Sequence, residues 1–304
     1  MNRIYLDTAR LLTQVAPPVF QGGEFALKGG TAINLFVRDM PRLSVDLDLV
    51  FPDYTTPRDQ ALAQINEAIR QAGERLKIRG FQVRPVTAKG AGETKLLVRR
   101  GDIEIKVEVN FVMRGTVHPV HLKSLSANAR DTLQVDFEIP VVSLEDLYGG
   151  KLVAAMDRQH PRDLFDVMEL YAHEGITPAI RRTFVVYLAS HNRPVHEVLF
   201  PALRDITQDY NGTFKGMTSE PVELAELLAT RERLVNDLQK NLDAKERRFL
   251  LSIVSNAPKW GLMGIAHLEQ LPAIRWKLRN IDLLAKSSPK KFAQQAESLS
   301  RLLG

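Results

Sequence analysis

From Ser44 to Phe51 the chain reads Ser-Val-Asp-Leu-Asp-Leu-Val-Phe, polar and apolar by turns. That period of two predicts a strand with Ser44, Asp46 and Asp48 on one face and Val45, Leu47 and Leu49 on the other. Similar patterns predict strands over 80–86, 95–100 and 102–111 and a short one over 25–28, while helical spacing appears over 4–15, 31–37 and 59–76. The first 142 residues therefore read as an α+β or α/β unit. After Ser143 helical spacing takes over, at 144–158, 161–173, 178–190, 221–241, 245–254 and again from 289, with loop punctuation at 191–194 and 210–221. The expectation is two domains, 1–142 and 143–304, the second helical.

Composition narrows the chemistry. With 304 residues and 44% hydrophobic content there is enough chain for a real core. No apolar run is long enough to span a membrane, and the N-terminal MNRIYLDTARLL is too charged for a signal peptide, so a cytoplasmic location without membrane attachment is expected. Zero cysteines exclude disulfides, thiolate nucleophiles and Cys-ligated zinc, and the seven histidines show no paired ligand spacing. The net charge of +5 is uneven: residues 231–304 hold 14 Lys+Arg against 7 Asp+Glu, which leaves the first 230 at −2. A basic C-terminal part suits a polyanion such as RNA, although a solvated helical surface accounts for it equally well.

The alternating strand raises a physical problem. Two carboxylates at i and i+2 stand about 7 Å apart and repel each other unless something positive lies between them, and aspartate is a poor strand former. A hard divalent cation, Mg²⁺ or Mn²⁺, solves it. Just upstream, Lys28-Gly29-Gly30-Thr31 joins the short strand to a helix, with Thr31 as the expected N-cap, and such a turn offers outward amides to phosphate. A third ligand is expected from the alternating 103–110 segment, Glu108 first and Glu104 second; a salt-bridged face with Lys106 between the two glutamates is the competing reading.

Further on, Ser143 and Asp146 have capping-box spacing, Lys151 and Arg158 share a helix face, and Pro161 opens a helix with Arg162, Asp163 and Asp166 in its first turns. One reading gives Lys151 a triphosphate and Asp163 a basic residue to hold; the other makes Arg162 and Asp166 an ordinary i,i+4 pair. Near the C-terminus, Arg275-Trp276-Lys277-Leu278-Arg279 alternates basic with apolar residues, fitting either RNA stacking or core-plus-rim packing.

Taken together, "LKGGTAINLF…RLSVDLDLVF", "IEIKVEVNF", "LEDLYGGKLVAAMDRQHPRDLFDV" and "LPAIRWKLRNI" resemble, in order, the motifs of the AbiEii/AbiGii toxin family, which includes the MenT toxins. The resemblance covers residues 20–170 well and the C-terminal region loosely. It implies a polymerase-beta-type nucleotidyltransferase core followed by a helical domain, in a toxin of a toxin–antitoxin system serving phage defence. It also implies a cognate antitoxin, an NTP substrate and an RNA acceptor, the 3′ end of tRNA in some members. By position, Gly29 and Gly30 match the family's glycine pair, with Thr31 beside them, Asp46 and Asp48 its metal-binding aspartates, Ser44 its motif serine, Lys151 its nucleotide-gripping lysine and Asp163 its motif aspartate. Glu108 stands where an aspartate is common. A phosphate on Ser44 would add about −1.5 to −2 charge and oppose an incoming NTP. A binding or partner-sequestering toxin without transfer activity is the alternative.

Overall fold

Leucines 47 and 49 are fully buried while Asp46 and Asp48 are half-buried, so the alternation sets the two faces of a strand over Asp46–Val50. It does not reach back to Ser44, which is buried ahead of the strand while Val45 is half-exposed. The computed structural model describes residues 3–88 and 92–304. The chain divides into two compact units, Met1–Leu147 with Phe214–Pro221, and Tyr148–Thr213 with Val222–Gly304. The first therefore takes back an eight-residue stretch that a linear division at 142 does not contain.

In the first unit, α1 (Arg3–Phe20) is followed by β1 (Ala26–Lys28), α2 (Gly29–Ala32) continued by a π-helical turn (Ile33–Val37), and β2 (Asp46–Val50). Then come α3 (Arg58–Ile78), β3 (Gln82–Ala88), β4 (Gly92–Arg100), β5 (Ile103–Val109), β6 (His121–Ser124), α4 (Ala127–Leu133) and β7 (Glu138–Val141). The strands form one mixed sheet in the order β3-β4-β5-β2-β1-β7-β6. β2 runs antiparallel to β1 and parallel to β5, and Leu27, Leu47, Leu49, Val98 and Val107 build the core beneath it. α1 continues through Pro17 and Pro18, past the expected end at 15, because Val19 and Phe20 are buried in the core.

β6 and β7 escape sequence reading. Each is four residues long; β6 is exposed, and β7 contains Pro140, which counts against a strand. They exist because Val141 pairs with Leu27 and the amide of Val142 donates to the carbonyl of Leu27.

The helical part consists of α5 (Leu144–Arg158), which begins in the first unit, α6 (Pro161–Ala172), α7 (Pro178–Ser190), α8 (Val195–Leu199) and α9 (Thr207–Thr213). It continues with α10 (Leu224–Asn241), α11 (Ala244–Val254), α12 (Pro272–Ser287) and α13 (Pro289–Leu303). Capping boxes at Glu223/Glu226 and Asp243/Glu246 start α10 and α11. The five residues Arg275–Arg279 lie inside α12, where Ile274, Lys277 and Ile281 face inward at helical spacing.

Candidate active site

The site in the first unit is built by register. Asp48 pairs with Lys28 on one side and with Glu108 on the other, and Asp46 pairs with Lys106. Lys95 of β4 lies opposite Glu108. One sheet face thus carries Lys28, Asp48, Glu108 and Lys95 in a row across four strands.

Directly after Lys28 the chain turns into α2. Gly29 has φ +75°, in the left-handed region that glycine tolerates, and a Cβ built on it would run into Oδ2 of Asp48. A Cβ on Gly30 would lie 2.6 Å from Nη2 of Arg42 and 3.3 Å from Oγ of Ser44. Both glycines are required by close approach, the first by a carboxylate and the second by a guanidinium. α2 begins at Gly29 itself, so the amides of its first turn have no intrahelical acceptor.

Thr31 is not the N-cap. It is the third residue of α2, buried, with its Oγ1 2.8 Å from Oγ of Ser44 and 2.5 Å from the carbonyl of Asp46. Thr31 and Ser44 therefore fasten the start of β2 to α2. Ser44 is itself buried, so modification there requires this segment to open.

Arg42 is a residue that sequence reasoning missed. Only 2% exposed, it donates from Nη1 to the carbonyl of Leu43 at 2.9 Å. Its segment is clamped by the returning stretch: Arg42 bridges Thr218, the amide of Leu43 donates to Met217, and the amide of Ser219 donates to Pro41. The available signal was an arginine two residues ahead of Ser44, which carries no pattern by itself.

Glu108 faces Asp48, yet its two oxygens bond the ammonium groups of Lys95 and Lys106, each at 2.9 Å. Burial works against its charge, and the two lysines overcome that, holding the carboxyl below its usual range. Burial likewise opposes the charge on Lys106, but the bond to Glu108 and the fields of Asp46 and Asp48 hold it above the usual lysine range. Glu104, the second choice, is exposed.

In the second unit, Lys151 forms a buried ion triad. Its Nζ lies 2.9 Å from Oδ1 of Asp163 and 2.8 Å from Oδ2 of Asp166, with the three side chains 8%, 5% and 0% exposed. Arg158 closes on Asp163 with Nη2 at 3.1 and 2.9 Å from its two oxygens and is 63% exposed. Asp163 holds its charge below the usual range because Lys151 and Arg158 outweigh the cost of burial. Asp166 bonds Lys151 rather than forming the i,i+4 pair with Arg162. Asp146, expected only to cap α5, also accepts from the amides of Val117 and His118 at 2.9 Å each.

A family model described as the nucleotidyl transferase AbiEii toxin of type IV toxin–antitoxin systems matches residues 10–280. The chain belongs to the AbiEii family. Among solved structures it is similar to MenT4, a nucleotidyltransferase toxin from Mycobacterium tuberculosis H37Rv, with a TM-score of 0.60 and 19% identity over 92% of this chain and 99% of that one. Curated proteins give no match.

As an AbiEii protein the chain is a nucleotidyltransferase toxin, a class that implies an NTP substrate and an antitoxin and generally uses a divalent metal. The donor set fits a cation held by two carboxylates. Among the described residues no group of three His, Cys, Asp or Glu side chains is arranged to hold a metal ion, and Glu108 is engaged by Lys95 and Lys106. Magnesium needs only one or two protein carboxylates when substrate phosphates and water fill its shell. No helix among the described residues is long and apolar enough to cross a membrane.

Proposed function

We propose that this AbiEii chain transfers a nucleoside monophosphate from an NTP to an RNA hydroxyl, at the 3′ end of a tRNA, in a Mg²⁺- or Mn²⁺-dependent reaction that blocks translation in the cytoplasm until the antitoxin intervenes. The observation that carries this reading is Asp46 and Asp48 on one face of β2, with Asp48 lying against the Gly29 turn that starts α2.

Asp46 and Asp48 would hold the cation. Bound there, it would neutralise triphosphate charge and acidify the acceptor hydroxyl. The amides of the Gly29 turn and the positive end of α2 receive phosphate oxygens. Arg42 supports that turn from behind Gly30, and the Thr31–Ser44–Asp46 fastening keeps the phosphate cradle and the carboxylates in fixed relation. Lys106 balances the carboxylates before substrate arrives. In the second unit Lys151 and Asp163 form a buried support that holds the exposed Arg158.

Incubating the protein with tRNA, Mg²⁺ and each labelled NTP tests the proposal. Label on the RNA 3′ end with one nucleotide preferred is the expected result. A metal-independent gel shift with no label incorporated would instead identify a binding toxin.

A further inference from the structure

The outer face of α12 carries two arginines and a tryptophan for which the fold has no use. Around a helix, positions 275, 279 and 286 fall within about 40° of one another, and 283 and 276 lie about 40–60° further round. All five residues, Arg275, Arg279, Lys286, Leu283 and Trp276, are exposed, Trp276 by 41%. The opposite side, Ala273, Ile274, Lys277 and Ile281, is buried. Lys286 is paired with Asp282, whereas Arg275 and Arg279 have no ion-pair partner among the described residues. Residues 272–303 hold seven basic and two acidic side chains, and Lys290 and Lys291, both exposed, extend the positive field past the end of α12.

A half-exposed indole beside two unpaired guanidinium groups is chemistry suited to bases and phosphates. Any nucleobase can stack on an indole, and arginine serves both the neighbouring phosphate and the base plane. A protein partner would require about 800 Å² of complementary surface with an apolar centre, and this face offers two large apolar side chains among basic ones, with Asp282, which pairs with Lys286, as the one acid of α12. We infer that the outer face of α12 is a landing site for single-stranded RNA, with a base stacked on Trp276 and phosphates held by Arg275 and Arg279. This rests on the RNA-acceptor reading above and adds where the acceptor is gripped.

The test uses the full chain with two probes, a fluorescein-labelled mixed-sequence single-stranded RNA of about 12 nucleotides, a length matched to the usual single-strand site size, and bulk tRNA. Trp276→Ala should weaken binding of both about tenfold, and Trp276→Phe should restore most of it. The double variant Arg275→Ala/Arg279→Ala should lower the slope of log affinity against log salt by about 1.4. In a Trp260→Phe background the remaining Trp276 fluorescence should be quenched by RNA, and thermal stabilisation by Mg·NTP should match the parent in every variant. Parent-like RNA affinity in the variants, or unquenched Trp276, overturns the inference while leaving the acceptor reading intact. Loss of antitoxin binding with RNA binding retained also overturns it, assigning the face to a protein. A parent that neither binds nor labels RNA overturns both readings.

Discussion

Asp48 occupies the space where any side chain at position 29 would have to go: a Cβ on Gly29 would meet its Oδ2 and lie 3.1 and 3.2 Å from its Cβ and Cγ. Gly29→Ala should therefore push the carboxylate out of line and lower transfer at least a hundredfold, the scale expected when a catalytic group moves by about 1 Å. Gly23 is the control, since it has φ +81° but nothing within 4 Å of its added Cβ. Gly23→Ala should show a similar backbone penalty of about 1 kcal/mol in urea melts and retain activity. Equal activity losses in the two variants would mean that strain, not displacement of Asp48, is responsible.

Lys151 and Arg158 share Asp163 but should respond differently to removal. Lys151→Met leaves Asp163 and Asp166 buried without their ammonium and should destabilise the fold by about 3–5 kcal/mol. Arg158→Ala removes an exposed partner and should cost less than about 1 kcal/mol while lowering transfer. Denaturant melts beside activity measurements separate the two. Because Asp163 has its folded pKa depressed, its stabilisation is complete above the ordinary carboxylate range and is lost as pH falls through the folded value. Asp163→Asn should flatten the acid limb of the stability profile.

Lys106 sits in the field of Asp46 and Asp48 and competes with any cation that they bind. Lys106→Met should tighten Mg²⁺ binding about fivefold in calorimetry without nucleotide. Unchanged or weaker Mg²⁺ binding would show that the cation site lies elsewhere.

Lys277 gives a pH prediction in the second unit. Its ammonium is buried, donates to the carbonyl of Arg193 at 2.7 Å, and has its pKa pushed down by burial to about 8, with Glu197 opposing the shift. A lysine depressed in the fold binds fewer protons folded than unfolded between pH 8 and 10.5, so stability rises with pH there. Relative to Lys277→Met, the parent should gain about 3 kcal/mol between pH 7.5 and 10.5 in urea melts. A pH-independent difference would contradict the buried, charged state.

The carboxylate pair was legible because a period of two is unambiguous once apolar residues fill the alternate positions, and Gly29–Gly30 became legible only beside that pair, since two glycines alone mark no more than a tight turn. The supports were not. Arg42 depends on the return of residues 214–221 to the first unit, and Asp166 reaches Lys151 only once α5 and α6 pack. Glu108 was placed on the correct face, yet its engagement by Lys95 is a cross-strand contact that one strand's pattern cannot contain. α12 was hidden because a lysine, Lys277, sits inside its buried stripe while a tryptophan, Trp276, lies on its exposed side.

The most direct test is nucleotide transfer by Asp48→Asn, which keeps the side chain's shape against Gly29 and removes its charge. With folding confirmed by its melting curve, the variant should incorporate no label from any NTP at Mg²⁺ concentrations that saturate the parent. Transfer at the parent's rate would contradict a metal-bound triphosphate held at this strand.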